Sequence, residues 1–222
     1  MTLSGLTVSV DYADLLAKSL PLWFQGCDKL LVVTTARDKA TIDLCSNYDG
    51  ILVHITDAFY RYGAVFNKGL AISEAIEVFD YLDDWMLLFD ADVIPTQGWR
   101  GIVETSGIQP GNLYGARRVM EDGTGNPHDN WELPGYFQLF HATDQNVQRR
   151  PLMDCSWIHA GGFDSEFQAR WTREHKHRLS LTLTHQGQHG RNWFGRFNTQ
   201  QMDKLLEDRR KVGRLADYER LP

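Results

Sequence analysis

The run Trp85-Met86-Leu87-Leu88-Phe89-Asp90-Ala91-Asp92-Val93-Ile94-Pro95 is built from large apolar residues, carries two aspartates near its end and closes on a proline. An apolar stretch of this length reads as a strand buried on both faces, which belongs in a parallel or mixed sheet flanked by helices. Ligands of such sheets gather beyond the carboxyl ends of the strands. In extended backbone, residues two apart point the same way, so Asp90 and Asp92 are expected to present their carboxylates together. Paired hard oxygen donors suit Mg²⁺ or Mn²⁺ holding phosphates. The plainer use of such a pair is to cap the turn that follows the strand.

Upstream of this run, strand and helix signals alternate. Leu6 to Val10 alternates and is rich in β-branched residues, and Asp11-Tyr12-Ala13-Asp14 opens a helix expected to reach about Trp23. Leu30 to Thr35 reads as a second strand, Lys39 to Cys45 as a helix, and Ile51 to Ile55 as a third strand. From Asn67 to Phe79, apolar residues recur at helical spacing. Four strand–helix alternations argue for a parallel α/β sheet with short crossovers.

Downstream, Gly, Pro and polar residues become frequent. Strands are expected over Asn112 to Val119, Tyr136 to His141 and Leu179 to Thr184, with a loop over Glu121 to Pro127 and a turn over Ile158 to Asp164. Thr199 to Glu219 reads as a charged helix with a modest apolar stripe. The chain is thus expected to form one domain over residues 1–198, divided into a nucleotide-binding half (1–110) and an acceptor half (111–198), followed by a helical segment (199–222).

Charge separates the halves. Residues 1–110 hold 7 Lys/Arg against 15 Asp/Glu, whereas residues 111–222 hold 16 against 14 and seven of the eight histidines. An acidic half that binds phosphate needs a cation to do so, while the Arg- and His-rich half can meet anions directly. No apolar run approaches the roughly 20 residues of a membrane span. With three widely spaced cysteines, Cys27, Cys45 and Cys155, the chain reads as cytoplasmic with reduced thiols.

Taken in order, these motifs resemble the GT-A glycosyltransferases of the family 2 type, which use nucleotide-sugar donors. The resemblance rests on five features: Val10-Asp11-Tyr12 after the first strand, Asn67-Lys68-Gly69 opening a helix before the central strand, and the D-x-D motif Leu88-Phe89-Asp90-Ala91-Asp92. The others are Gly161-Gly162-Phe163-Asp164 and a late histidine, His185. It implies an α/β fold, a Rossmann-like mixed sheet with helices on both faces. It also implies that Asp90, Asp92 and His185 hold Mn²⁺ or Mg²⁺ against the diphosphate of a donor, most simply a UDP-sugar. Val10, Asp11 and Tyr12 would cradle the base, Asp38 would contact it, and Asn67, Lys68 and Asp90 would lie near ribose or diphosphate.

For the general base the resemblance leaves two residues. Relatives continue into W-G-x-E-D, where this chain has Trp171-Thr172-Arg173-Glu174-His175. Glu174 is the closer match and Asp164 the second. The acceptor is a hydroxyl compound, a saccharide or small molecule, with hydroxymethylated DNA as an alternative. A basic set with interleaved rings points to an anionic acceptor: Arg170, Trp171, Arg173, Lys176, Arg178, Arg191, Trp193, Arg196 and Arg209-Arg210-Lys211. Its plain counterpart is a solvated face balanced by Glu166, Glu174, Glu207 and Asp208. His159, His175, His177 and His189 compete with His185 for a metal. A nucleotidyltransferase, a haloacid-dehalogenase-like phosphatase or a non-catalytic nucleotide-sugar binder would also account for the Asp pair.

Overall fold

The computed structural model describes residues 1–125 and 133–187. Residues of the basic set from Arg191 onward, His189, Trp193 and the expected helical segment over 199–222 lie outside that range. Eight strands form one sheet: β1 (Leu3–Val8), β2 (Lys29–Thr34), β3 (Ile51–Ile55), β4 (Trp85–Asp90), β5 (Val93–Pro95), β6 (Leu113–Met120), β7 (Phe137–His141) and β8 (Lys176–His185). Their order is β3-β2-β1-β4-β7-β6-β8-β5. The first four neighbours are parallel. β7 then runs antiparallel to β4, which makes the sheet mixed.

Among the described residues five α-helices cover the two faces: α1 (Ala13–Gly26), α2 (Lys39–Ser46), α3 (Lys68–Phe79), α4 (Trp99–Thr105) and α5 (Phe163–Gln168). Strand alternation explains the two cores. Leu6, Val8, Leu31, Met86 and Leu88 meet Ala71, Ile72 and Ile76 of α3 and Phe163 and Phe167 of α5. Leu3, Leu30, Val32, Leu87 and Phe89 meet Leu16, Leu20 and Trp23 of α1 and Trp99 of α4. Trp23 anchors the second core, its ring stacked 4.2 Å from Phe89 and edge-on to Trp99 at 5.0 Å. Among the described residues no helix is long and apolar enough to cross a membrane.

The run from Trp85 to Pro95 is two strands, not one. β4 stops at Asp90, Ala91 and Asp92 form a turn, and β5 restarts at Val93. The break is stabilised from outside: Ser19 Oγ donates to the Ala91 carbonyl (3.0 Å) and Trp23 Nε1 to the Val93 carbonyl (3.0 Å). Backbone groups that leave the ladder must find partners, and α1 supplies them. The break also bends the sheet. Three Cα–Cα steps separate Asp90 from Val93, at most about 11 Å, whereas a flat sheet would set β4 and β5 four strand positions apart, about 19 Å. The far edge therefore curls back over the end of β4.

Other boundaries moved less. β1 lies earlier than expected, because Leu3 and Ser4 are buried in the sheet and the chain turns out at Asp11, whose φ of 59° is left-handed. α1 begins after Tyr12 and runs on to Gly26. The expected turn over Ile158 to Asp164 ends in α5, and β8 starts at Lys176 rather than Leu179.

Candidate active site

Following β1 the chain passes to β2 on one side, and later to β4 on the other. The crevice of an open α/β sheet lies at this reversal, outside the carboxyl ends of the strands. Asp11 and Asp90 stand there, after β1 and at the end of β4.

Asp90 shares a face of β4 with Met86 and Leu88, the α3–α5 side. Its Oδ1 is in direct contact with Lys68 Nζ. Lys68 is the first residue of α3, and its ammonium also lies 5.7 Å from the centre of the Phe163 ring. Burial alone would lower its pKa, but the charge and hydrogen bond of Asp90, reinforced by Asp92 and Asp164, outweigh that and raise it. Asp164, in the first turn of α5, completes this side. Its Oδ2 accepts the Gly135 N–H at 2.9 Å, an approach that a side chain at Gly135 would block, since a Cβ there would sit 2.8 Å from the Asp164 Cβ. Burial pushes the Asp164 carboxyl up, and Asp90 adds to the shift against the Gly135 N–H and Lys68.

Asp92 has a different setting. It is buried, and its Oδ2 lies 3.5 Å from Nε2 of His185, the last residue of β8, which pairs with Val93. His185 Nδ1 is buried with no hydrogen-bond partner among the described residues. The junction is fixed by Gln186, whose N–H donates to the Asp92 carbonyl (2.8 Å) and whose Nε2 donates to the Leu15 carbonyl of α1 (3.0 Å). His185 alternates with Leu181 and Leu183 on the α1–α4 side. Ala91 and Asp92 leave the strand in a turn, and both carboxylates still act on Lys68, Asp90 by direct contact and Asp92 through its charge. Two carboxylates and an imidazole with an unpartnered buried nitrogen are donors that suit Mn²⁺ or Mg²⁺ chemically. Among the described residues they do not form a ready cluster of three ligands.

Two residues expected to touch the ligand are occupied elsewhere. Asp38 is 3% exposed. Its Oδ1 caps α2 at Thr41 N (3.0 Å), and its Oδ2 accepts from Asp11 N (2.7 Å) and Thr34 Oγ1 (3.3 Å). With three of its acceptor positions used, it ties the turn after β1 to the turn after β2. Asn67 is fully buried, with Oδ1 capping Leu70 N (2.9 Å) and Nδ2 donating to the Cys155 carbonyl (2.6 Å). Its effect is to aim Lys68. Val10 and the Tyr12 ring are buried beside Asp11, which is exposed.

Glu174 is not at the crevice. It is exposed in a short 3₁₀ turn that enters the amino end of β8, and that strand runs ten residues, about 30 Å, before reaching His185. Arg173, Lys176 and Arg178 share that amino end. Trp171 is 2% exposed, with Nε1 donating to Asp144 Oδ2 (2.9 Å), so it is a core ring rather than a stacking platform. His175 and His177 both meet Asn112 Oδ1 there (3.0 and 3.2 Å). His159 accepts from Gly161 N (3.0 Å), and burial holds its pKa down.

One feature escaped the sequence. Beyond the carboxyl ends of β2 and β3 lies a cleft of about 490 Å³, lined among others by Thr35, Arg37, Thr56, Tyr60, Arg61 and Glu74. The Arg37 guanidinium stands 4.7 Å over the Tyr60 ring and donates to its hydroxyl. Glu74 closes the wall by accepting from Thr56 and Arg61 and meeting His54. The signal available was Tyr60-Arg61, an aromatic and a cation between a strand and the Asn67-capped helix.

No model of a known protein family matches the chain, and no curated protein sequence matches it. Solved structures do match, and they define the fold as GT-A-type. Mannosyl-3-phosphoglycerate synthase from Rubrobacter xylanophilus is similar with a TM-score of 0.54 and 17% identity, over 100% of this chain and 76% of that one. Glucosyl-3-phosphoglycerate synthase from Mycobacterium tuberculosis, in complex with Mn²⁺, UDP and glucosyl-3-phosphoglycerate, gives 0.50 and 14%, over 84% and 72%. A 4-diphosphocytidyl-2C-methyl-D-erythritol synthase gives 0.51 and 13%, over 92% and 98%.

Proposed function

We propose that this protein is a metal-dependent glycosyltransferase that moves a sugar from a nucleoside diphosphate donor, a UDP-sugar, to a hydroxyl of a saccharide or small molecule. The observation that carries this reading is the position of Asp90 and Asp92 at the carboxyl end of β4, at the reversal of the sheet, with Lys68 and Asp164 beside them. The GT-A-type neighbour bound to Mn²⁺ and UDP supports it.

The nucleoside would occupy the cleft beside Arg37 and Tyr60, three strand positions from β4, about 14 Å, which a nucleoside diphosphate bridges. Asp90, Asp92 and His185 would hold the divalent ion. When bound, that ion supplies Lewis-acid neutralisation of the departing diphosphate. Lys68 adds a positive charge on the same side. Asp164, its carboxyl raised by burial, takes the acceptor's hydroxyl proton on Oδ1 while Oδ2 stays with Gly135 N–H. Asp38 and Asn67 act as positioning residues. The anionic-acceptor reading, including modified DNA, loses its support from Arg173 and Arg178, which stand at the far end of β8.

The experiment is incubation with Mn²⁺ and a panel of nucleotide sugars, followed by assay of released nucleoside diphosphate with and without candidate acceptors. Release that requires Mn²⁺ and vanishes in Asp92→Asn is expected. Pyrophosphate release from a nucleoside triphosphate and a sugar phosphate, with no release from any nucleotide sugar, would instead establish a nucleotidyltransferase.

A further inference from the structure

The ammonium of Lys68 occupies the Asp90 oxygen that a divalent ion at this crevice has to take. Building on the reading above, we propose that Lys68 is an exchangeable counterion that makes divalent-cation binding at Asp90 and Asp92 conditional on the donor's diphosphate. Its anchorage is rigid. Asn67 is pinned at both ends of its side chain, and Gly69 packs so closely that a Cβ there would meet the Asp154 carbonyl oxygen at 2.5 Å. Only the four-carbon stem of Lys68 is free to swing.

Charge decides where that stem goes. The side chain is 13% exposed and is held by three carboxylates, Asp90 in contact with Asp92 and Asp164 behind it. A cation arriving alone must either share Asp90 with an ammonium at hydrogen-bond distance or drive that ammonium into solvent. Both alternatives are unfavourable, because like charges repel more strongly in a partly buried site than in water. A diphosphate arriving with the cation changes the balance by offering anionic oxygens within the same crevice. Lys68 then leaves Asp90 for a phosphate oxygen and Asp90 becomes available as a ligand. No bond is made or broken, and the net charge brought in is close to zero.

The test is direct titration of Mn²⁺, followed by calorimetry and by the paramagnetic resonance of free Mn²⁺, with and without saturating UDP. Wild-type protein should bind Mn²⁺ weakly alone and about tenfold or more tightly with UDP, within the usual range of coupling between sites. Lys68→Met, which keeps the stem and removes the charge, should bind Mn²⁺ alone about tenfold more tightly than wild type and show little further gain from UDP. Lys68→Gln gives the same readout if the methionine variant folds poorly, and Lys68→Arg, which keeps the charge, should retain weak binding of Mn²⁺ alone. Neutral variants that bind Mn²⁺ alone no better than wild type, while wild type takes up Mn²⁺ with UDP, overturn the exchange and leave the glycosyltransferase reading standing. Wild-type protein that takes up no Mn²⁺ under either condition overturns both.

Discussion

Asp90 and Asp92 are separated by one alanine and both act on Lys68, yet their immediate partners differ. Asp90 is partly open to solvent, faces α3 and α5, and is neutralised by an ammonium in contact. Asp92 is buried and meets an imidazole 3.5 Å away that is charged only when protonated. The setting of each carboxylate is therefore defined by the partner it meets, the ammonium at the start of α3 or the imidazole at the end of β8. A turn of two residues is enough to change that.

The comparison breaks most visibly in activity. Asp90→Asn and Asp92→Asn should each lower transfer about a thousandfold, since under the proposed function each removes a charge that would hold the ion at the departing diphosphate. A variant of either with near wild-type turnover at saturating Mn²⁺ would show that residue to be a turn cap only.

Next comes Asp164→Asn, with a loss of about a hundredfold if Asp164 is the base. Its raised pKa fixes the sign of the pH effect. The base works ionised, so wild-type activity should fall as pH drops through a value above the ordinary carboxylate range, and the asparagine variant should lose that limb. A wild-type profile flat down to the ordinary carboxylate range would remove Asp164 from the role.

Arg37→Ala should raise the KM for the donor about tenfold with kcat little changed, because it opens the stacked wall of the cleft far from the reacting atoms. An unchanged KM would place the nucleoside elsewhere.

Stability should separate the two aspartates. Asp90→Asn leaves Lys68 without its contacting anion and should cost about 1–2 kcal/mol, less than a fully buried pair because Asp90 is partly hydrated. Asp92→Asn should shift the chemical-denaturation midpoint less. Equal shifts would mean that Lys68 finds Asp164 an adequate substitute. Smallest of all are Glu174→Ala and Arg178→Ala, expected within about twofold of wild-type kinetics as exposed surface changes remote from the crevice. A large loss in Glu174→Ala would restore it as a candidate base.

The parallel half of the fold was legible because β2 and β4 are buried along nearly their whole length and show it in uninterrupted apolar runs. β3 has the boundaries its residues suggest, and α3 opens where Asn67-Lys68-Gly69 placed the helix start. The break at Ala91 was hidden, since the groups that stabilise it, Ser19 and Trp23, lie some seventy residues away and no local pattern announces them. The Lys68–Asp90 contact was hidden for a similar reason: the rotation of a helix over a sheet is a tertiary quantity. Glu174 was misplaced because a motif specifies order along the chain but not direction along a strand. β8 begins immediately after it and carries the chain away from that point to the crevice.

The pairing of β8 has a consequence for how the molecule is made. Val93 on β5 meets His185, and β6 is joined to β8 along most of its length. The parallel pairings among β1, β2, β3 and β4 are complete once residue 90 has emerged, whereas β4 still waits for β7, and β5 for partners synthesised about ninety residues later. Contacts of such long sequence separation form slowly, and unpaired strand edges invite association with other chains. Half of the crevice, with Asp90 and Lys68, can thus stand on a nascent chain, while Asp92 acquires His185 only at the end of assembly. A destabilised β8 would leave a protein with an exposed β5 edge and an Asp92 without His185.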